Sequence, residues 1–303
     1  MVRQVGWLNP GAPDEADNPE KEHSVQHLRS ETNMTAQSHR SDPRILSRRT
    51  LQRDHRHLAG LLRPGLSVLD IGCGPGAITA GIAEAVGPHG YVVGIDRDEG
   101  LLERARAEHG WLPNLRFEHG DATALSHRAQ FDIVTAARTL QWISELDSAL
   151  SRMKQAAKPG GMLVVLDYNH AKNRWEPHPP REFCDFYKAF LAWREARQWD
   201  NHMADHLPEL FRSVGLADVE SHVQDEIIER GGPEFAEHVD LWSQVIENLG
   251  EQLAKAGFCM ESQLQEARER YGSWARTELK KQTLAMRTIT GRAPYPSGRR
   301  CCL

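Results

Sequence analysis

The sequence predicts a doubly wound α/β fold, a largely parallel sheet covered by helices on both faces. Two observations predict it. The apolar run Ser67-Val68-Leu69-Asp70-Ile71 passes into Gly72-Cys73-Gly74-Pro75-Gly76, and a helical pattern follows from Ala77 to Val86. A strand that runs through glycines into a helix brings bare N–H groups and a helix N-terminus close to a ligand, and a Cβ would block that approach. From there to Tyr168, short apolar strands alternate with amphipathic helices, the pattern of parallel strands buried on both faces.

Each element has its own signal. Thr50 to Leu62 reads as a helix ended by Arg63-Pro64-Gly65. Tyr91 to Asp96 is a second strand, Asp98 to Glu108 a helix and Leu115 to Glu118 a third strand. Phe131 to Ala137 is a fourth, followed by a helix over Ser144 to Ala157. After a turn at Lys158-Pro159-Gly160-Gly161, Met162 to Tyr168 is a fifth. Beyond residue 170 the period lengthens. Phe183, Phe186, Phe190 and Trp193 form one helical stripe. A helix end, a turn at Gly215 and a sixth strand from about Asp218 occupy Leu210 to Glu229. Phe235, Val239, Trp242, Ile246, Leu249 and Leu253 form a second stripe, and Leu264, Ala267, Tyr271 and Trp274 a third. Leu284 to Thr290, closed by Gly291, is the seventh strand, so a helical insertion separates strands six and seven.

Four stretches result: a disordered leader over 1–40, with order from about Pro43; a ligand-binding core over 41–170; the remaining strands and a helical cap over 171–292; and a flexible tail over 293–303. The leader lacks hydrophobic periodicity. A chain of 303 residues with 40% hydrophobic content has an ordinary core. A net charge of −5 argues against a nucleic-acid partner. No apolar run of the length a membrane crossing needs exists, and the N-terminus has neither a signal-peptide core nor a transit-peptide composition. Five cysteines without metal-ligand spacing fit free thiols in the cytoplasm. The Cys301-Cys302-Leu303 end is not a prenylation box, which would need Cys at Arg300.

The glycine turn has two readings. A nicotinamide site has the spacing G-x-G-x-x-G and an acid about 20 residues on. Here the spacing is G-x-G-x-G, Asp70 stands on the strand itself, and Asp96, 20 positions after Gly76, suits either ligand. Gly120-Asp121-Ala122 after strand three decides between them, because a carboxylate there can accept the exocyclic amine of adenine. Phe131-Asp132-Ile133-Val134 and Lys158-Pro159-Gly160-Gly161 complete the order.

With these motifs in this order, the chain resembles the class I S-adenosylmethionine-dependent methyltransferases, closest to the small-molecule branch that includes the ubiquinone and menaquinone biosynthesis enzymes. The resemblance covers Ser67 to Tyr168 and extends more loosely to Gly291. It implies a Rossmann-like seven-stranded sheet with the last strand antiparallel. It also implies that Asp70, Gly72, Gly74 and Gly76 border the methionine moiety, Asp96 holds the ribose hydroxyls, Arg97 flanks the adenine and Asp121 and Ala122 hold its edge. Arg138 would reach a carboxylate of the cofactor or the acceptor.

The sulfonium is an activated donor, so positioning and water exclusion supply much of the rate. A base matters only for an acceptor that carries a proton. Tyr168 and His170, at the carboxyl end of strand five, are the catalytic candidates, with His202 and His206 behind them. His202 and His206 share a helix face but lack a third ligand, so no metal is assigned. Cys73 reads as a packing residue and Asp132 as a turn former. Trp142, Trp175, Trp193 and Trp199 read as core aromatics with a secondary chance of facing an acceptor or the sulfonium.

The expected function is transfer of a methyl group from S-adenosylmethionine to an O, N or C atom of a small metabolite, by a monomer or homodimer. The alternatives are methylation of a protein, or cofactor binding without transfer. Arg138-Thr139-Leu140-Gln141-Trp142 stands where DNA base methyltransferases carry Asn- or Asp-Pro-Pro-aromatic, which weighs against a nucleic-acid substrate.

Overall fold

The computed structural model describes residues 46–295, so the leader, the start near Pro43 and the tail beyond Tyr295 lie outside the described residues. The described residues belong to one compact unit. Helices α1 (Leu51–Asp54) and α2 (Arg56–Leu61) precede the sheet. The chain then runs β1 (Ser67–Ile71), α3 (Ala77–Val86), β2 (Tyr91–Asp96), α4 (Glu99–His109), β3 (Leu115–His119), β4 (Phe131–Ala137), α5 (Leu146–Ala156) and β5 (Ala157–Tyr168). After β6 (Arg174–Glu176) come α6 (Arg181–Glu195), α7 (Met203–Ser213), β7 (Ala217–Val223) and β8 (Glu226–Glu229). Helices α8 (Phe235–His238), α9 (Leu241–Lys255) and α10 (Glu261–Thr277) lead into β9 (Lys281–Leu284) and β10 (Met286–Arg292).

The main sheet has seven strands in the order β3-β2-β1-β4-β5-β10-β7. Strands β1 to β5 pair in parallel, and the last strand, β10, runs antiparallel to both β5 and β7. The order reverses between β1 and β4, the switch point at which open α/β sheets hold ligands beyond their carboxyl ends.

Neighbouring residues of each strand enter opposite faces. Val68, Val92, Ile133 and Val164 pack with Ile82, Val86 and Leu102 of α3 and α4. Leu69, Val93, Val134 and Val165 pack with Leu150 and Met153 of α5 and Leu207 and Phe211 of α7. This period of two, apolar on both sides, explains why the strands read as continuous apolar runs. The three helical stripes form a separate core, in which α6, α9 and α10 enclose Phe183, Phe190, Trp242, Leu253 and Tyr271.

Three local readings change. The expected helix over Thr50 to Leu62 is broken at His55 (φ −143°, ψ 48°). His55 is fully buried with Nε2 2.9 Å from Thr135 Oγ1, and the Asp54 carbonyl accepts from Arg138 Nη1 instead of continuing the helix. Lys158 to Gly161 form a bulge within β5 and not a turn before it, since Phe131 pairs with Ala157 and Ile133 with Met162. The segments at Glu226–Glu229 and Lys281–Leu284 leave the main sheet and form a second one, β6-β9-β8. Neither has the continuous apolar run of the main strands, and tertiary pairing decides which sheet they join. No helix among the described residues is long and apolar enough to cross a membrane.

Candidate active site

The turn after β1 is held by its backbone. Gly72 and Cys73 N–H both donate to the Ile95 carbonyl (2.7 and 3.0 Å), and Gly74 N–H donates to Asp96 Oδ2 (2.8 Å). Gly72 has φ +71°, and a Cβ there would land on the Thr139 side chain. Gly76 (φ +83°) begins α3 in the left-handed region, and a Cβ there would stand 2.6 Å from the Phe117 ring. Only glycine satisfies both demands.

Two carboxylates frame this turn. Asp96 ends β2 and also accepts from Asp98 N–H through Oδ1 (2.9 Å). It is half-buried, and four lone-pair positions leave acceptor capacity for a ligand. Asp70 is buried on β1, where Oδ2 accepts from the Thr79 hydroxyl (2.7 Å). Burial pushes its pKa up to about 7, against the Thr79 bond and with added repulsion from Asp96. Arg97 is exposed, and its carbonyl lies 3.2 Å from His119 Nε2. Beyond β3, Asp121 Oδ1 accepts from Thr123 N–H and Oγ1 (2.7 and 2.6 Å), which caps a short turn and buries Ala122 in the core.

Across the switch point, side chains do the holding. Arg138 follows β4 with φ +59° and is buried. Its Nε donates to Tyr168 Oη (3.0 Å), Nη1 to the Asp54 carbonyl (2.9 Å) and Nη2 to Glu226 Oε2 (3.2 Å). The guanidinium expected to reach a carboxylate is thus committed to protein groups, and Tyr168 and the two acids raise its pKa against the cost of burial. Burial also raises the Tyr168 phenol above its ordinary value, so it stays protonated at neutral pH. His170 is buried and stacks on Tyr168 with ring centroids 5.0 Å apart. Its Nε2 lies 2.5 Å from Gln141 Oε1, and its Nδ1 has no partner among the described residues. Burial first, and then the Arg194 charge, lower its pKa well below 6.5, so the imidazole is neutral.

His202 and His206 lie on the exposed start of α7, and His206 pairs with Asp200 at 2.7 Å. They do not join the site. Cys73 is a half-buried thiol whose pKa burial raises, which matches packing better than reactivity. Asp132, read as a turn former, lies within β4 and accepts from Ser67 and Lys158 at its far end, tying β4 to β1 and β5. Sequence reasoning missed Arg194, Gln141 and Glu226. Arg194 is fully buried on α6, with Nη2 donating to the Gln141 carbonyl (3.1 Å), Nε to Asn201 Oδ1 (2.8 Å), and its plane 4.5 Å over Trp142. An arginine one step beyond the apolar stripe was the available signal.

A family model described as a methyltransferase domain matches residues 62–215. The chain belongs to the class I S-adenosylmethionine-dependent methyltransferases. It is 31% identical over 194 residues to a demethylmenaquinone methyltransferase of Lactococcus lactis, covering 59% of this chain and 75% of that protein. It is 37% identical over 124 residues to a trans-aconitate 2-methyltransferase of Deinococcus radiodurans, covering 40% of this chain and 46% of that protein. Phosphoethanolamine N-methyltransferase 2 of Haemonchus contortus, solved with S-adenosyl-L-methionine, superposes with a TM-score of 0.50 at 20% identity over 79% of this chain and 52% of that one, a likeness of fold. The methyltransferase is an enzyme with S-adenosylmethionine as its cofactor. The residues present fit that group: a glycine turn too tight for a Cβ, a helix N-terminus, and carboxylates ending β2 and following β3.

Proposed function

We propose that this methyltransferase transfers a methyl group to a proton-bearing atom of a small metabolite held between the carboxyl edge of the sheet and the helical region over 171–292. Asp96 would take the ribose hydroxyls. Asp121 and Ala122 would hold the adenine edge with Arg97 beside it, and Asp70, Gly72, Gly74 and Gly76 would border the methionine moiety. When bound, the cofactor supplies a sulfonium-activated methyl group. The chain's own residues bind and orient it, exclude water and receive the acceptor's proton. His170 serves as that proton acceptor because its Nδ1 has no partner among the described residues, and the burial and Arg194 charge that disfavour the imidazolium are what the transfer must overcome. Tyr168 and Arg138 act as a fixed wall beside it.

The observation that carries the reading is this placement. The glycine turn and its two carboxylates stand on one side of the switch point, and an imidazole whose Nδ1 has no partner among the described residues stands on the other. Residues 171–292 serve as the acceptor's cap, since α6 places Phe190 against His170 (5.7 Å) and β8 brings Glu226 to Arg138. The unpaired Cys73, Cys184 and Cys259 suit a cytoplasmic protein. The experiment is transfer of tritiated methyl from S-adenosylmethionine to a panel of hydroxylated, amino and carbon-acid metabolites. Label in a small product, lost in His170→Asn, supports the reading; label only in proteins, or none at all, counts against it.

A further inference from the structure

Gln141 stands in the turn after β4 and is fastened at four points. Its N–H donates to Asp167 Oδ2 (3.1 Å) and its carbonyl accepts from Arg194 Nη2 (3.1 Å). Its side-chain Nε2 donates to the Arg138 carbonyl (3.2 Å), and its Oε1 meets His170 Nε2 at 2.5 Å. The amide has only one workable orientation. Turned over, it would set an oxygen against the Arg138 carbonyl and an N–H₂ against the imidazole. With Oε1 facing His170, the ring nitrogen on that side must carry the proton, because an acceptor facing an acceptor binds nothing.

We propose that Gln141 is a positioning residue that holds His170 as the Nε2–H tautomer and so leaves Nδ1 as a buried lone pair for the methyl acceptor. Nδ1 has no partner among the described residues, and His170 is 6% exposed. A buried polar atom without a partner is costly unless a ligand completes it. The acceptor that completes it brings an X–H bond: a hydroxyl, phenol, enol or protonated amine, in contrast to a carboxylate or a tertiary amine. As the new C–X bond forms and the sulfur–methyl bond breaks, the X–H proton passes to Nδ1 and the sulfur leaves as a neutral thioether. Atoms and charge then balance, since the sulfonium's positive charge ends on the imidazolium. This inference rests on the methyl-transfer reading for its purpose. The tautomer itself does not depend on that reading.

The network explains why Arg194 is buried at the end of α6. Its bond to the Gln141 carbonyl, its stacking on Trp142 and its link to Asn201 hold the turn from the helical side. Asp167, fully buried and pushed up to about 6 by burial, holds the same turn from the sheet. His170 is thereby fixed from β4, β5 and α6 together.

The test is the pair of imidazole nitrogen signals of His170 in the full-length ¹⁵N-histidine protein, identified by their loss in His170→Asn and followed with pH. The wild type should show a neutral Nε2–H tautomer at pH 7. Gln141→Leu should lose that tautomer preference. Gln141→Glu, which keeps an acceptor and adds a negative charge, should retain it and titrate about one pH unit higher or more. Should Gln141→Leu not fold, the wild type and Gln141→Glu still decide the matter. A wild-type His170 protonated on Nδ1, or charged at pH 7, overturns the proposal, as does a Gln141→Leu protein with unchanged signals. S-adenosylmethionine titrated into the same wild-type sample separates the two claims: no binding with the expected tautomer strikes the functional reading alone.

Discussion

At the ends of β1, β2 and β3 the candidate site groups are set by backbone geometry, whereas at the ends of β4 and β5 they are set by side chains from elements far apart in sequence. Gly72, Cys73 and Gly74 hang on the Ile95 carbonyl and Asp96, all within 25 residues of one another. Arg138, Tyr168 and His170 are fixed by Asp54, Glu226, Gln141 and Arg194, drawn from the first helix, the second sheet, the turn after β4 and the helical region. The first kind of site tolerates changes elsewhere and fails when its glycines change. The second depends on charges buried at a distance and fails when one of them is lost.

The largest expected effect is on the backbone side. Gly76→Val places a branched side chain at φ +83° against the Phe117 ring, and should cost about 3–5 kcal/mol of stability together with measurable cofactor binding. Chemical denaturation and calorimetry read both. A destabilisation under 1 kcal/mol would show that the turn is not held as described.

Asp70 gives a pH signature for the same side. Burial pushes its carboxyl up to about 7 in the folded protein, against an ordinary value of 3.8, so between those values the folded state holds the extra proton. Stability therefore falls as pH rises from about 4 to 7, by up to about 4 kcal/mol from this group. Asp70→Asn keeps an acceptor for Thr79 and should lose that decline, seen in denaturation midpoints at the two ends of the window. An unchanged slope would place the titration elsewhere.

On the other side, Arg194→Met removes the donors to Gln141 and Asn201 while filling similar volume. It should cost about 2–3 kcal/mol of stability. S-adenosylmethionine affinity should stay within about threefold of wild type, because no bond in the glycine turn involves α6. A large loss of affinity would join the two halves that the geometry separates.

This difference also decides how much could be read from the chain. The elements β1, α3, β2 and β4 stand where apolar runs and glycines put them, since local pattern and local structure agree there. The glycine turn and the acid that ends β2 were legible for the same reason, because glycine spacing and an acid at a strand end are local patterns. Gln141 was not legible: in sequence it is one polar residue between Leu140 and Trp142, and its meaning comes from His170, 29 residues on. Arg194 was hidden in the same way, as a polar residue ending an aromatic stripe. His55 breaks a helix that propensity favours, because a buried bond to Thr135 and the capture of the Asp54 carbonyl by Arg138 outweigh one further turn. The second sheet escaped because Glu226-Ile227-Ile228-Glu229 and Lys281-Gln282-Thr283-Leu284 carry too few apolar residues to mark a strand, and their pairing is decided by tertiary context.

The most direct test is calorimetric titration of S-adenosylmethionine into the wild type, Asp96→Ala and His170→Asn, with NADH as control. A charge-assisted bond contributes about 1.5–3 kcal/mol, so Asp96→Ala should weaken binding about 10- to 150-fold. His170→Asn should bind as the wild type does, and NADH should not bind. Equal affinity in the wild type and Asp96→Ala, or binding of NADH in place of the sulfur nucleotide, would contradict the account.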